Sequence, residues 1–427
     1  MNINSSYTQE MVSMRRSIHQ KPETGWTEFR TTALVVRRLK ELGFEVKMGK
    51  AIVNTDFVMG RYDSEVKLGM QRALQAGITQ EEIDATEGYT GAVGIWKTGK
   101  PGPVTAIRYD MDALYVPETT NPEHIPNKKG FASQYPGVMH ACGHDCHTAI
   151  GLSVAHWIAD HKDELCGTIK LIFQPAEEGT RGACSIAESG IVDDVNFLFA
   201  SHIGNKPRLG EVTVTEPGYN ATVKFDVHFE GKPAHSVANP QDGRNALMAA
   251  CHTVVMAGSL PRHGSGLTTV SCGKINAGEM RNVVPTHATL QMEVRGSTNE
   301  LCDYIFSQVC RAVKANAEAF DVKYDIVKVG QALTMNPDKE LAEVIKECAS
   351  EVVGPENVSY FKETGGSEDV TFLMTRVQKH GGQAAHFYYG SDDTGPHRSD
   401  FDPDDEKSMP VGFTIQTKLL LKKNGIH

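Results

Sequence analysis

The stretch DCHTAIGLSVAHWIADHKDEL (145–165) and the run TIKLIFQ (168–174) close behind it decide the fold. The first carries apolar residues at helical spacing, and the second is a short apolar, β-branched run. VTAIRYD (104–110), with Gly102 and Pro103 before it, reads as a strand upstream, and NFLFASHI (196–203) as another downstream. Strands alternating with helices predict an α/β sheet with helices on its faces. Open sheets of that kind carry their sites at the carboxyl ends of the strands.

Further upstream, residues 7–20 and 26–43 read as helices, the second closed by Gly43. Residues 51–89 are polar and rich in Met, Gly and acidic side chains. They read as an inserted, partly helical excursion before a strand at 90–97. After GEVTVTEPGYN (210–220) the texture changes. TVKFDVHFEG (222–231) alternates with period two; a helix at 242–258, strand-like runs at 267–275 and 287–295, a helix at 299–319 and a strand at 322–329 follow. This β-α-β-β-α-β order predicts a small, one-sided antiparallel α+β domain of ferredoxin-like type. The α/β texture then returns, with helices at 337–352 and 368–378, a strand at 384–390 and a terminal helix near 404–423. The expected organisation is a discontinuous α/β domain (1–215 and 330–427) interrupted by an inserted domain (216–329).

Composition narrows the function classes. The 427 residues are 40% hydrophobic and 22% charged, enough apolar material for a core and too little charge for a disordered chain. The net charge of −10 argues against a nucleic-acid partner. No apolar run approaches the roughly 18 residues that would span a bilayer. MNINSSYTQEMVSMRRSIHQ has no long apolar core and no small-residue cleavage site, so no signal peptide is expected. Nine cysteines without a repeating spacing read as reduced thiols, and the expected location is the cytoplasm.

Five of the seventeen histidines fall between 140 and 161, densest in MHACGHDCHT (139–148). Cys142 and His144 are two residues apart and can face the same way, and thiolate and imidazole suit a borderline-soft divalent ion. Alternatively, Cys142 is a small buried residue and His144 and His147 cap a helix. The strand at 168–174 runs into QPAEEGTRG, which places Glu177 and Glu178 in a strand-end loop. Near a metal, one such carboxylate coordinates and the other takes a proton from bound water. His202 ends a third strand, Asp110 or Asp112 follows the strand at 104–110, and GPHRSDFDP (395–403) offers His397. Together these predict a metal site. In the inserted domain, GKPAHSVANPQDGRNAL (231–247) carries His235, and GEMRNVVPTHATLQMEVRG (278–296) carries Arg281, Asn282 and Arg295. Each can be an ordinary surface residue; an Arg fork with an Asn donor can also clamp a carboxylate.

MHACGHDCH, FQPAEEG, the strand-end SHIG, GKPAHSVANPQDGRNAL, NVVP…VRG and the late His397 resemble, in order and over almost the whole chain, one family. It is the aminoacylase, hippurate hydrolase and indole-acetyl-amino-acid hydrolase family of dinuclear-metal amidohydrolases, within the zinc carboxypeptidase-like superfamily. The 51–89 insertion, KPGPVTAIRYDMDAL, FQPAEEGTRGA with Arg181, and GGSEDVTFLM (365–374) resemble the subgroup acting on p-aminobenzoyl-glutamate.

The resemblance implies two divalent ions, Zn or Mn, in the α/β catalytic domain, and a lid or dimerisation role for the inserted one. It implies that Cys142 bridges the ions, with His144 and His202 completing one shell and Glu178 and His397 the other. Glu177 resembles the general base. His235 resembles a histidine that reaches a partner subunit's site, Asn282 and Arg295 match carboxylate-binding positions, and Asp112 and His147 resemble residues that support the ligands. Cys146 stands where Gly or Ala is common, and Pro396 where close relatives carry another His. The implied substrate is a small N-acyl amino acid, first p-aminobenzoyl-glutamate; hippurate or indole-acetyl-amino acids are the alternative. The implied assembly is a homodimer or a heterodimer with a sister chain, and a non-catalytic member of a two-chain hydrolase is the competing reading. Arg181, three residues after Glu178, is expected either to meet a glutamate γ-carboxylate or to hold its own loop, for instance through Glu188.

Overall fold

The computed structural model describes residues 5–204, 207–362 and 365–426. The chain divides into two compact units, Met1–Pro217 with Asn336–Glu363 and Asp369–His427, and Gly218–Met335 with Thr364–Glu368. Twelve strands occur among the described residues. They are β1 (Glu45–Met48), β2 (Ala92–Lys97), β3 (Val104–Asp110), β4 (Thr168–Gln174), β5 (Phe197–Ile203), β6 (Val212–Thr215), β7 (Ala221–Glu230), β8 (Thr268–Ala277), β9 (His287–Gly296), β10 (Lys323–Ala332), β11 (Val358–Phe361) and β12 (Gln383–Tyr389).

The larger unit is built on a mixed sheet in the order β1-β2-β4-β3-β5-β12-β6-β11. Its centre, β4-β3-β5-β12, is parallel, so Asp110, Gln174, Ile203 and Tyr389 all end their strands at the same edge. Alternate residues of these strands, Ile107, Tyr109, Leu171, Phe173, Phe199 and Phe387, join one core with Ile150, Val154 and Ile158 of the helix His144–Asp160. Each such side chain contributes roughly 1.5–3 kcal/mol by leaving water. The helix lies close on the sheet because Gly151 has no side chain: a Cβ there would come within 2.7 Å of Tyr109 and 2.8 Å of Phe173.

The smaller unit is a four-stranded antiparallel sheet in the order β10-β7-β9-β8. Val223, Phe225, Val227 and Phe229 alternate onto the face covered by the helices Ala246–Ser259 and Asn299–Ala319. Along the chain its elements run β-α-β-β-α-β, as the alternation in the sequence predicts.

Several elements differ from the sequence reading. β1 and β11 have four residues each and went unread, as did the short helices Ile125–Lys129 and Ala183–Ala187. Edge strands this short owe their form to pairing, β1 with β2 and β11 with β6, more than to their own pattern. The 51–89 excursion contains helices Asp63–Gln75 and Gln80–Asp84, the second opened by a capping box of Thr79 and Glu82. Among the described residues no helix is long and apolar enough to cross a membrane.

Candidate metal centre

Four loops at the carboxyl edge of the parallel strands bring the donors together. The segment after β3 carries Asp112. The loop after β4 carries Glu177 and Glu178. His202 stands near the end of β5, and the segment after β12 carries His397. The helix His144–Asp160 starts at this edge. Gly143, its N-cap, has φ 88°, and a Cβ there would come within 2.4 Å of Ile203, so only glycine lets the helix start against β5.

Donor atoms of Cys142, His144 and His202 lie within 4.8 Å of one another, and so do those of Cys142, Glu178 and His397. The thiol belongs to both trios. Cys142 Sγ is 3.4 Å from His202 Nε2, and His397 Nε2 is 3.5 Å from Glu178 Oε1. Ligands about 2.0–2.3 Å from a tetrahedral ion lie roughly 3.3–3.8 Å apart. Both nitrogens of buried His144 and Oε1 of Glu178 have no hydrogen-bond partner. Buried polar atoms left bare are costly unless something else engages them. The donor set therefore fits divalent metal.

The surrounding residues orient these donors. His202 Nδ1 donates to the Ile203 carbonyl at 2.7 Å, which leaves Nε2 as a lone pair facing Cys142. His147 Nδ1 donates to Asp110 at 2.5 Å and its Nε2 accepts the Ile203 N–H at 2.9 Å. Although His147 clusters with Asp110 and His144, both of its nitrogens are already spent. Asp110 also pairs with buried Arg108, which reaches Gln174 at 2.8 Å and Asp369 at 3.2 Å. Burial opposes ionisation of Asp110, but Arg108 and His144 hold its pKa well below the usual carboxylate range.

The charges favour a cation in this cluster. Bonds to Cys142 and Glu178 push His397 up to about 10. Burial pushes the Cys142 thiol up, and the Glu178 charge adds to it. A divalent ion reverses that logic by stabilising the thiolate. His397 is 56% exposed at its side chain and has φ 64°, a left-handed conformation held in part by its N–H on the Ala141 carbonyl at 2.7 Å.

The glutamate loop is held almost atom by atom. Asp112 accepts the N–H of Glu177 at 2.9 Å and of Glu178 at 3.0 Å. Glu28 accepts from Ala176 N at 2.8 Å, and Asp369 accepts from Gly182 and Ala183, each at 3.0 Å. Ala176 and Thr180 sit at φ 53° and 61°, costing on the order of 1–3 kcal/mol each, and these bonds over-determine them. Arg181 donates to the carbonyls of Glu178 and Gly60. Sequence reasoning missed Glu28, Arg108 and Asp369 as parts of the site; their only signal was acidic or basic character amid apolar runs.

His235, Asn282 and Arg295 belong to the smaller unit. His235 bridges Val283, and Ser236 N donates to the Asn282 carbonyl at 3.1 Å, so His235 and Asn282 are neighbours. His235 Nδ1 accepts from Val237 and Ala238, which leaves Nε2 to carry the proton. Arg295 is at the opposite end of β9, bonded to Glu293 and the Gly365 carbonyl. Eight strand residues separate it from His287, and the β7–β9 pairing continues outward to Asn282. The separation is therefore roughly 25 Å, and the structure does not bring Asn282 and Arg295 together within one chain.

Grouped thiol, imidazole and carboxylate donors at the strand ends of a mixed α/β sheet define a metal-dependent hydrolase. The profile of peptidase family M20/M25/M40 matches residues 106–422, and the chain belongs to that family. It is 45% identical, over 97% of its length and 98% of the relative's, to a p-aminobenzoyl-glutamate hydrolase homolog of Haemophilus influenzae. That relative's name makes it one of the chains of a multi-chain hydrolase. The chain is 41% identical, over 97% and 95%, to indole-3-acetyl-aspartic acid hydrolase of Enterobacter agglomerans. The crystal structure of an aminobenzoyl-glutamate utilization protein from Klebsiella pneumoniae matches with a TM-score of 0.85 at 33% identity, covering 99% of this chain and 98% of that one.

Proposed function

We propose that this chain is a dinuclear-metal amidohydrolase that cleaves N-acylated dicarboxylic amino acids, first p-aminobenzoyl-glutamate, into p-aminobenzoate and glutamate. The observation that carries the reading is the Cys142 thiol shared by two ligand trios. The substrate follows from the Haemophilus and Klebsiella relatives, whose names contain aminobenzoyl-glutamate. A second substrate, indole-3-acetyl-aspartate, is favoured by the Enterobacter relative and also has two carboxylates on the leaving amino acid.

Cys142, His144 and His202 would hold one ion, and Cys142, Glu178 and His397 the other. Bound Zn or Mn would acidify a water and polarise the scissile carbonyl. Glu177, beside Glu178 in the same loop, accepts a proton as the water oxygen adds to the amide carbon. It returns that proton to the amide nitrogen as the C–N bond breaks and the amino acid leaves. His235 donates from Nε2 to the carbonyl oxygen as negative charge develops there. Asn282 and Arg295, held apart in one chain, meet one α-carboxylate only if two chains contribute. The reading therefore includes a dimer with shared sites, of two copies or of this chain with a sister chain. Nine free thiols support a cytoplasmic location.

The test is turnover of the purified chain, loaded with Zn or Mn, on a panel of acyl-amino acids. Highest kcat/KM is expected for p-aminobenzoyl-glutamate. Metal bound without turnover, whether or not a sister chain is present, would make the protein a non-catalytic member of its family.

A further inference from the structure

The segment 51–89 and the side chain of Arg181 are both unused by the chemistry above, and they meet. Arg181 Nε donates to the Glu178 carbonyl at 2.8 Å and Nη1 to the Gly60 carbonyl at 2.9 Å. Nη2 lies against Gly25, where a Cβ would come within 2.3 Å of it. The guanidinium thus fills a slot between three stretches of backbone. Other bonds tie the same segment down. Trp26 Nε1 donates to the Met59 carbonyl at 2.8 Å, next to Gly60. Asn54 donates to the carbonyls of Ser185 at 2.9 Å and Glu188 at 3.1 Å, beyond the far end of the glutamate loop.

We propose that Arg181 is a positioning residue that clips the Glu177–Glu178 loop to the 51–89 segment, which serves as the loop's buttress. A planar fork suits the task because it reaches two carbonyls in a fixed geometry; a lysine ammonium reaches them only as a point charge. With Nε and Nη1 directed at backbone, Arg181 does not read the second carboxylate of the substrate. The consequence for metal affinity rests on the ligand role of Glu178 proposed above; the clip itself does not.

Three variants test it: Arg181→Met, Arg181→Lys and Gly25→Ala, the last crowding the guanidinium without altering it. Amide hydrogen exchange is followed across 176–183 in the metal-free chain. Zn affinity is measured by chelator competition, and kcat/KM on p-aminobenzoyl-glutamate and on an acyl-alanine. Exchange is expected to rise about tenfold in the Met and Ala variants and less in the Lys variant. Zn binding should weaken roughly 10- to 100-fold, as for other supports of metal ligands. Both substrates should lose kcat/KM by the same factor. Unchanged exchange in both Arg181→Met and Gly25→Ala would overturn the clip, and so would a loss confined to p-aminobenzoyl-glutamate. A wild-type chain that binds no Zn would defeat the metal reading alone, because the exchange result decides the clip without metal.

Discussion

His202 presents Nε2 to the Cys142 thiol at 3.4 Å because its other ring nitrogen is tied to the Ile203 carbonyl. The Ile203 N–H is in turn held by His147, and His147 by Asp110. A relay of single hydrogen bonds thus runs from a strand-end carboxylate to a ligand lone pair.

Cys142→Ser should lower metal occupancy, measured by elemental analysis of the purified chain. In the wild type, a thiol reagent should label Cys142 mainly after chelation, because metal holds the thiolate and covers it. Equal labelling with and without chelator would remove Cys142 from the ligand set. A Cys146→Ala background keeps the second thiol, also buried, from confusing the result.

Glu177→Gln should retain metal and lose on the order of 100- to 10,000-fold in kcat, since the amide keeps the shape and cannot take the proton. Steady-state rates beside metal content check it. A wild-type rate would move the base elsewhere.

Asp112 uses both oxygens on the N–H groups of Glu177 and Glu178. Asp112→Asn leaves one oxygen for two donors. The metal-free chain should lose roughly 1.5–3 kcal/mol, the worth of a hydrogen bond to a charged group, seen as a lower thermal midpoint. No change in midpoint would mean that the loop holds itself.

Mixing inactive Glu177→Gln chains with inactive His235→Ala chains should restore part of the activity, because one site in each mixed dimer then has both groups intact. The readout is rate after verified exchange of chains between dimers. Failure to recover would place His235 in its own chain's chemistry or outside it.

Much of the architecture was legible. The helix after MHACGHD and strands β3, β4 and β5 announce themselves by periodicity, and the donors at their ends by residue type. The inserted unit's strand and helix order could likewise be read from the alternation in TVKFDVHFEG and the elements after it. The four-residue strands β1 and β11 could not, because pairing with a neighbour creates them. Nor could the network of Arg108, Gln174 and Asp369: Gln174 lies 195 positions and Arg108 261 positions from Asp369 in the chain.

Residue types and periodicity were enough to say which donors stand at which strand ends, and with them the class of chemistry. How those donors divide their work came from packing alone. Packing put Cys142 in two trios, spent both nitrogens of His147 on Asp110 and Ile203, set Asn282 and Arg295 at opposite ends of one strand pair, and turned Arg181 toward backbone carbonyls. The physical reason is one of range. Periodicity records which face a residue takes within its own element. Whether two atoms from distant elements come within bonding distance depends on packing and loop paths, which no local pattern encodes.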